Sequence, residues 1–158
     1  MDSITPDQDF RLRAAHHQWA IKIGIESSAD VIKWAESEFQ STQNPDQALI
    51  DLTWCRADTP EVAIYSLLEK ITGSLDPFDA LRFALERLAA PLRSHPESLS
   101  RLAKDIHELA VQHEYTLPED LSPLLVLCSN FDLCLSGILD RHDVEKELME
   151  FIDQLSTH

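Results

Sequence analysis

Apolar residues recur along this chain every three or four positions, the spacing that places them on one face of an α-helix. In the segment VIKWAESEF, residues 31–39, the apolar side chains share one face while Lys33 and Glu36 are directed toward water. No segment alternates with the two-residue period of a half-buried strand. The pattern therefore predicts an all-α protein.

Prolines mark where the predicted helices begin. Seven of the eight prolines can stand in a first turn, where proline lacks only an N–H that would have been unpaired. The related tetrapeptides TPDQ (residues 5–8) and NPDQ (residues 44–47) each place a capping side chain three residues before a Gln, so both predict a capping box and not a structural repeat. The predicted helices cover about residues 6–23, 29–40 with Ser28 as the cap, 45–55, 60–72, 77–91, 96–113, 123–137 and 144–155.

The arrangement of these helices follows from the short connections. Linkers of about three to six residues predict that consecutive helices pack as antiparallel neighbours. The third helix is apolar nearly all round and should be central, and the seventh is the most apolar and should be buried. We expect residues 1–158 to form a single helical domain, a compact bundle or short stack of about seven to eight antiparallel helices.

The cysteines, the N-terminus and the apolar runs indicate in which cellular compartment the protein is expected. Three cysteines without CxxC spacing exclude a full disulfide framework and disfavour a zinc site, so reduced, buried thiols are expected. The N-terminus starts acidic and lacks the pattern of a secretory signal. The longest apolar run is broken by Ser, Asn, Asp and Pro, which does not suit lipid. A soluble cytoplasmic protein is the simplest interpretation.

The charge of the chain is strongly negative and unevenly distributed. Twenty-eight acids against thirteen bases give a net charge of −15, which disfavours nucleic acid and anionic membranes and favours a basic protein partner. Residues 26–80 hold eleven acids and three bases, and residues 116–158 hold nine and two, so the whole excess lies in these two segments. Such segregation is typical either of a solvated face or of a surface that speeds encounter with a cation, an effect that weakens as salt rises.

Candidate catalytic and metal-binding residues fall short of known motifs. In HELAVQH the two histidines are six residues apart, which rotates the second by about 240° from the first, so the HExxH zinc geometry fails. His16 and His17 are adjacent and should not share a helical face, and Cys128 and Cys134 lie on an apolar helix that favours buried thiols. For Asp51, we expect either an ion pair or hydrogen bond within the chain, to a residue such as Arg56, or a contact with an Arg or Lys of another protein. We expect no enzyme, no cofactor and no metal.

Two stretches carry a resemblance to a known family. They are SADVIKWAESEFQSTQNPDQALIDLTW (residues 28–54) and TPEVAIYSLLEKITG (residues 59–73), about a third of the chain. Their (D)VIxWA(D/E) helix, short Pro-containing loop and LIDL helix resemble small acidic immunity proteins encoded beside bacterial polymorphic toxins, including those of contact-dependent inhibition. The resemblance implies a stoichiometric toxin inhibitor in the cytoplasm of the producing cell, without chemistry of its own.

An acidic helical surface would suit such an inhibitor, because many of these toxins are nucleases whose clefts are basic to hold phosphate. Trp34 and Trp54 are either anchors at the interface or, as their apolar settings favour, core residues. The first alternative to a toxin inhibitor is a helical adaptor or oligomerisation module that docks through the helix from Val144. The second is a metal enzyme whose site is assembled from dispersed acids and histidines. The candidate partner-binding acids are Glu26, Asp30, Glu36, Glu38, Asp46, Asp58 and Glu61 in the first segment and Asp140, Asp143, Glu147 and Glu150 in the second.

Overall fold

Eight α-helices and no strand make up the secondary structure that a computed structural model describes for residues 4–156. Residues 1–3, part of the acidic N-terminal segment, and residues 157–158 lie outside that range. The prediction of an all-α protein is confirmed. The helices are α1 (Pro6–Lys22), α2 (Ser28–Ser41), α3 (Gln47–Thr53), α4 (Glu61–Thr72), α5 (Pro77–Ser94), α6 (Leu99–Gln112), α7 (Pro123–Leu135) and α8 (Arg141–Ser156), with short 3₁₀ turns at Pro96–Ser98 and Glu119–Leu121.

The chain divides into two compact units, Met1–Ala84 and Leu85–His158. Helix α5 contains the division, so the first unit holds α1 to α4 and the start of α5, and the second holds the rest of α5 with α6 to α8. The expectation of a single domain over residues 1–158 stays a prediction.

In the first unit, α1 packs mainly against α4, and α3 packs against both α2 and α4. Leu49 and Leu52 of the short helix α3 are fully buried beside Ile64, Leu68 and Ile71 of α4. Each such side chain contributes about 1.5–3 kcal/mol relative to leaving it exposed. The predicted central position of the third helix is therefore confirmed for these residues.

In the second unit, α7 packs between α6 and α8. Only one face of α7 is buried, through Leu124, Cys128 and Phe131. Val126 is 66% exposed and Leu135 is 87% exposed, so the prediction that the seventh helix is buried was wrong. The physical reason is that apolar composition sets how favourable burial would be, whereas the number of neighbouring helices sets how much of the surface is covered.

Helix ends follow the predicted chemistry in part. The Gln8 N–H donates to Thr5 Oγ1 at 3.1 Å, which is one of the two bonds of the capping box predicted for the first tetrapeptide. The second tetrapeptide does not cap a helix in the same way, because α3 begins at Gln47 and Asp46 precedes it without a side-chain cap bond. The capping box belongs instead to Ser27 and Asp30, one residue before the predicted cap at Ser28.

Helix α1 ends next to Gly24, as predicted, in a turn that leads into Glu26 of the candidate site. Gly24 adopts φ +82°, its N–H donates to Ile21 O, and the Ile25 N–H donates to Ala20 O at 2.9 Å. This pair of bonds is the Schellman arrangement, which requires a residue in the left-handed region and therefore favours glycine. The turn directs the chain back along α1 immediately before Glu26.

Candidate functional site

The largest exposed aromatic side chain lies at the end of α3. Trp54 is 82% exposed, so the preference for core packing at this position was wrong. Helix α3 ends at Thr53, and the chain turns away after Trp54. The indole therefore does not continue the buried face formed by Leu49 and Leu52.

The connection that carries Trp54 is fixed by hydrogen bonds at its far end. The Arg56 N–H donates to Thr59 Oγ1 at 3.0 Å, and the Thr59 N–H donates back to Arg56 O at 2.9 Å. The hydroxyl of buried Ser28 donates to Thr59 O at 2.7 Å and ties the connection to the first turn of α2. We call residues 54–62 the Trp54 turn.

Acidic and apolar side chains are exposed along the same turn. Asp58 and Glu61 are exposed, and Val62 is 78% exposed. Glu61 and Val62 also line an apolar groove of about 280 Å³ together with Ile21, Lys22 and Tyr65. The Lys22 ammonium lies 5.7 Å from the centre of the Tyr65 ring, a cation–π distance. The Trp54 turn thus combines apolar contact area with negative charge.

Four of the seven candidate acids in the first segment are engaged within the protein. Glu26 contacts His17, Asp30 closes the capping box, Glu38 pairs with Arg13, and Asp46 pairs with Arg11 at 3.2 Å. The other three, Glu36, Asp58 and Glu61, are exposed. The structure therefore separates four acids with partners inside the protein from three acids that are exposed.

The engaged acids fix helix positions. The Arg11 guanidinium bonds to Asp7 and also donates to Ile71 O at 2.8 Å, which joins α1 to the end of α4. The hydrogen bond from Arg11 to Asp7 is the main cause that raises the pKa of Arg11. The backbone N–H and hydroxyl of Ser27 lower the pKa of Asp30, because both donate to the ionised carboxylate. The Asp30 carboxylate therefore stabilises the start of α2, and the Asp46 carboxylate joins the start of α3 to α1.

The second acidic segment forms a row on α8. Asp140 accepts hydrogen bonds from the N–H groups of His142 and Asp143, so it caps the start of this helix. Asp143, Glu147 and Glu150 are exposed at spacings of four and three, which places them on one face. Val144, Leu148 and Ile152 are buried on a different face. The apolar stripe of α8, the alternative docking element, is therefore used in packing.

A mixed imidazole and carboxylate cluster lies where α1 meets the turn at Gly24. His17 Nδ1 lies 2.6 Å from Glu26 Oε1, and the rings of His16 and His17 are 4.7 Å apart. One possible ligand atom from each of these three residues lies within 4.8 Å of the other two. As adjacent helical residues, His16 and His17 leave α1 about 100° apart and so do not share a face, as expected, yet their rings converge at their ends.

Aromatic contacts extend this cluster along α1 and α2. The Trp34 ring lies 4.6 Å from the His17 ring and 6.1 Å from Phe10. Trp34 Nε1 donates to Glu38 Oε1 at 3.1 Å, and the ring packs on the edge of the core of the first unit. Core packing, the favoured interpretation of Trp34, agrees with this position.

The remaining candidate residues have structural surroundings. Asp51 is half-buried and accepts a hydrogen bond from Gln47 Nε2 at 2.9 Å, and not from Arg56. Burial raises the pKa of Cys128 to about 12, which keeps the thiol protonated and unreactive at neutral pH. His107 of the HELAVQH segment meets Tyr115 edge to face with ring centres 6.1 Å apart. None of these arrangements assembles a nucleophile with a base.

Two further findings bear on the chain as a whole. No helix within residues 4–156 is long and apolar enough to cross a membrane. Comparisons with protein-family models, with curated proteins and with solved structures each find no match to this chain.

Proposed function

We propose that this chain is an immunity protein that binds and neutralises a cognate bacterial toxin through the Trp54 turn. The observation that carries the proposal is Trp54, 82% exposed on a connection that is tied to α2 by the Ser28 hydroxyl. A large aromatic side chain held in water by an ordered segment is typical of a contact that a partner completes.

The area of the indole is sufficient for a strong contact. A buried Trp covers up to about 250 Å², so covering the exposed part of Trp54 would remove roughly 200 Å² from water. At about 25 cal/mol per Å² this corresponds to about 5 kcal/mol before the costs of association. The hydrogen bonds that fix Thr59 reduce one of those costs, because that part of the connection is ordered before the partner binds.

The exposed carboxylates indicate the chemistry of the partner. Asp58 and Glu61 lie on the Trp54 turn, and the chain as a whole carries a net charge of −15. A basic protein would be attracted by this field, and a nuclease whose cleft holds phosphate is one such protein. The inhibitor would act in the cytoplasm of the producing bacterium by occupancy, as expected of systems such as contact-dependent inhibition.

A second candidate function is a helical adaptor or oligomerisation module. It is favoured by the end of α7 and its connection to α8, where Leu135 is 87% exposed and Ile138 is 68% exposed. In this alternative the contact lies on that connection and not on α8, whose apolar face is already covered by its own unit.

The proposal predicts that a toxin domain is encoded beside the gene for this chain, and that domain is the partner used in the test. Wild-type protein should form a one-to-one complex with that domain and protect growing cells from it. Trp54→Ala should lose protection while remaining folded, as should the double change Asp58→Lys with Glu61→Lys. The matched control, Glu147→Lys with Glu150→Lys on α8, should keep protection.

Full protection by the Trp54→Ala protein would overturn the proposal. The adaptor alternative is tested separately by sedimentation of a protein carrying Leu135→Ser and Ile138→Ser. If the wild-type protein self-associates and this variant does not, while both protect cells equally poorly, the adaptor function is supported instead.

A further inference from the structure

We propose that His16, His17 and Glu26 form a binding site for a divalent transition-metal ion of the Zn²⁺ class. The proposal starts from their convergence, since one possible ligand atom of each lies within 4.8 Å of the others. It is independent of the proposed function, because none of the three residues belongs to the Trp54 turn.

The separations are close to those that a metal requires. Ligand atoms about 2.0–2.2 Å from a tetrahedral zinc ion are roughly 3.3 Å from one another. The His17 Nδ1 to Glu26 Oε1 contact, at 2.6 Å, is shorter than this, while the widest separation in the cluster is no more than 4.8 Å. Small side-chain rotations that lengthen the His17–Glu26 contact, and shorten any separation above 3.3 Å, would therefore let all three ligands reach one ion.

The donor set indicates which class of ion would bind. Two imidazole nitrogens and one carboxylate suit Zn²⁺, Co²⁺, Ni²⁺ or Cu²⁺, whereas Ca²⁺ and Mg²⁺ prefer sites made mainly of oxygen. Three protein ligands leave at least one coordination position for water or another ligand. The same number and types of ligand occur in catalytic zinc sites, whereas structural sites usually have four protein ligands.

The surroundings hold the ligands in place. The side chains of His17 and Glu26 are only 14% and 17% exposed, so their freedom to rotate away into water is limited. The ring of Trp34 packs on His17, and the turn at Gly24 returns Glu26 to α1. A site in which neighbouring groups restrict the ligands loses less conformational entropy when the ion binds.

Calorimetric titration of the untagged full chain with ZnCl₂ tests the site. One equivalent of Zn²⁺ should bind, and His16→Ala and Glu26→Gln should each weaken binding about tenfold or more, since loss of a supporting group alone costs 10–100-fold. His142→Ala, a histidine substitution on the exposed start of α8, is the matched control and should bind as the wild type does.

A second measurement uses the wild-type protein and so does not depend on how a variant folds. In a Zn²⁺ titration followed by NMR of the imidazole groups, His16 and His17 should shift together with one stoichiometry, ahead of the other five histidines. The proposal is overturned if no Zn²⁺ binds, if the first shifts occur at other histidines, or if folded His16→Ala and Glu26→Gln proteins bind as tightly as the wild type.

Discussion

Replacing Trp54 by Ala should cost little stability, and the structure gives the magnitude. The side chain is 82% exposed, so only about a fifth of its roughly 250 Å² is removed from water in the folded protein. At about 25 cal/mol per Å², loss of that contact lowers the free energy of unfolding by at most about 1 kcal/mol. Binding to the toxin domain should instead fall by 2 kcal/mol or more, the threshold of an interface hot spot.

The matched control is Leu52→Ala, two residues earlier on the same chain segment. Leu52 is fully buried in the core of the first unit, so its truncation should cost about 2–5 kcal/mol. Urea unfolding of both variants, followed by far-ultraviolet circular dichroism, gives the two free energies directly. If Trp54→Ala destabilises the protein as much as Leu52→Ala does, the indole is a core residue and the docking argument fails.

Three other outcomes follow from single contacts. Ser28→Ala removes the hydrogen bond to Thr59 O and should lower the free energy of unfolding in urea by about 1 kcal/mol. Amide exchange in residues 56–59 should be faster than in the wild type, and unchanged exchange would contradict the anchoring role. The Ser27 bonds lower the pKa of Asp30 below its ordinary value of 3.8, so the ionised carboxylate stabilises the fold above that pH and the effect is lost as pH falls through the folded pKa. The Asp30→Asn protein should therefore be less stable than the wild type at pH 7, and this difference should shrink as the pH falls below 3.8; a difference that stays constant over this range would refute the argument. Because burial raises the pKa of Cys128 to about 12, Ellman's reagent at pH 8 should label it only as fast as the second unit opens, and labelling of Cys128 as fast as a free thiol would contradict its burial.

The all-α fold is readable from sequence because its signals are local. Apolar spacing, the Pro residues at helix starts and the Gly24 turn each act within a few positions, so they predict the helices and most of their ends. Ser27 and Ser28 show the limit of such signals: both are good caps, and the choice depends on Ser28 reaching Thr59, 31 residues away.

The site residues are harder to predict because their surroundings are set by distant contacts. Glu38 forms an ion pair with Arg13, 25 residues away, and Asp46 forms one with Arg11. Neither pairing follows a spacing that can be recognised in the sequence, so paired acids of the segment cannot be distinguished from exposed ones by sequence alone. The exposure of Trp54 depends on where α3 ends, and the meeting of His16 with Glu26 depends on side-chain rotations that the helical pattern does not specify.

The most direct test of the docking surface is the association of the toxin domain with wild-type and variant protein, followed by stopped-flow fluorescence at low and at physiological salt. We predict that Trp54→Ala accelerates dissociation about 30-fold or more, and that reversing Asp58 and Glu61 slows association at low salt, with a smaller difference at higher salt. Wild-type rate constants for both variants at both salt concentrations would contradict the account.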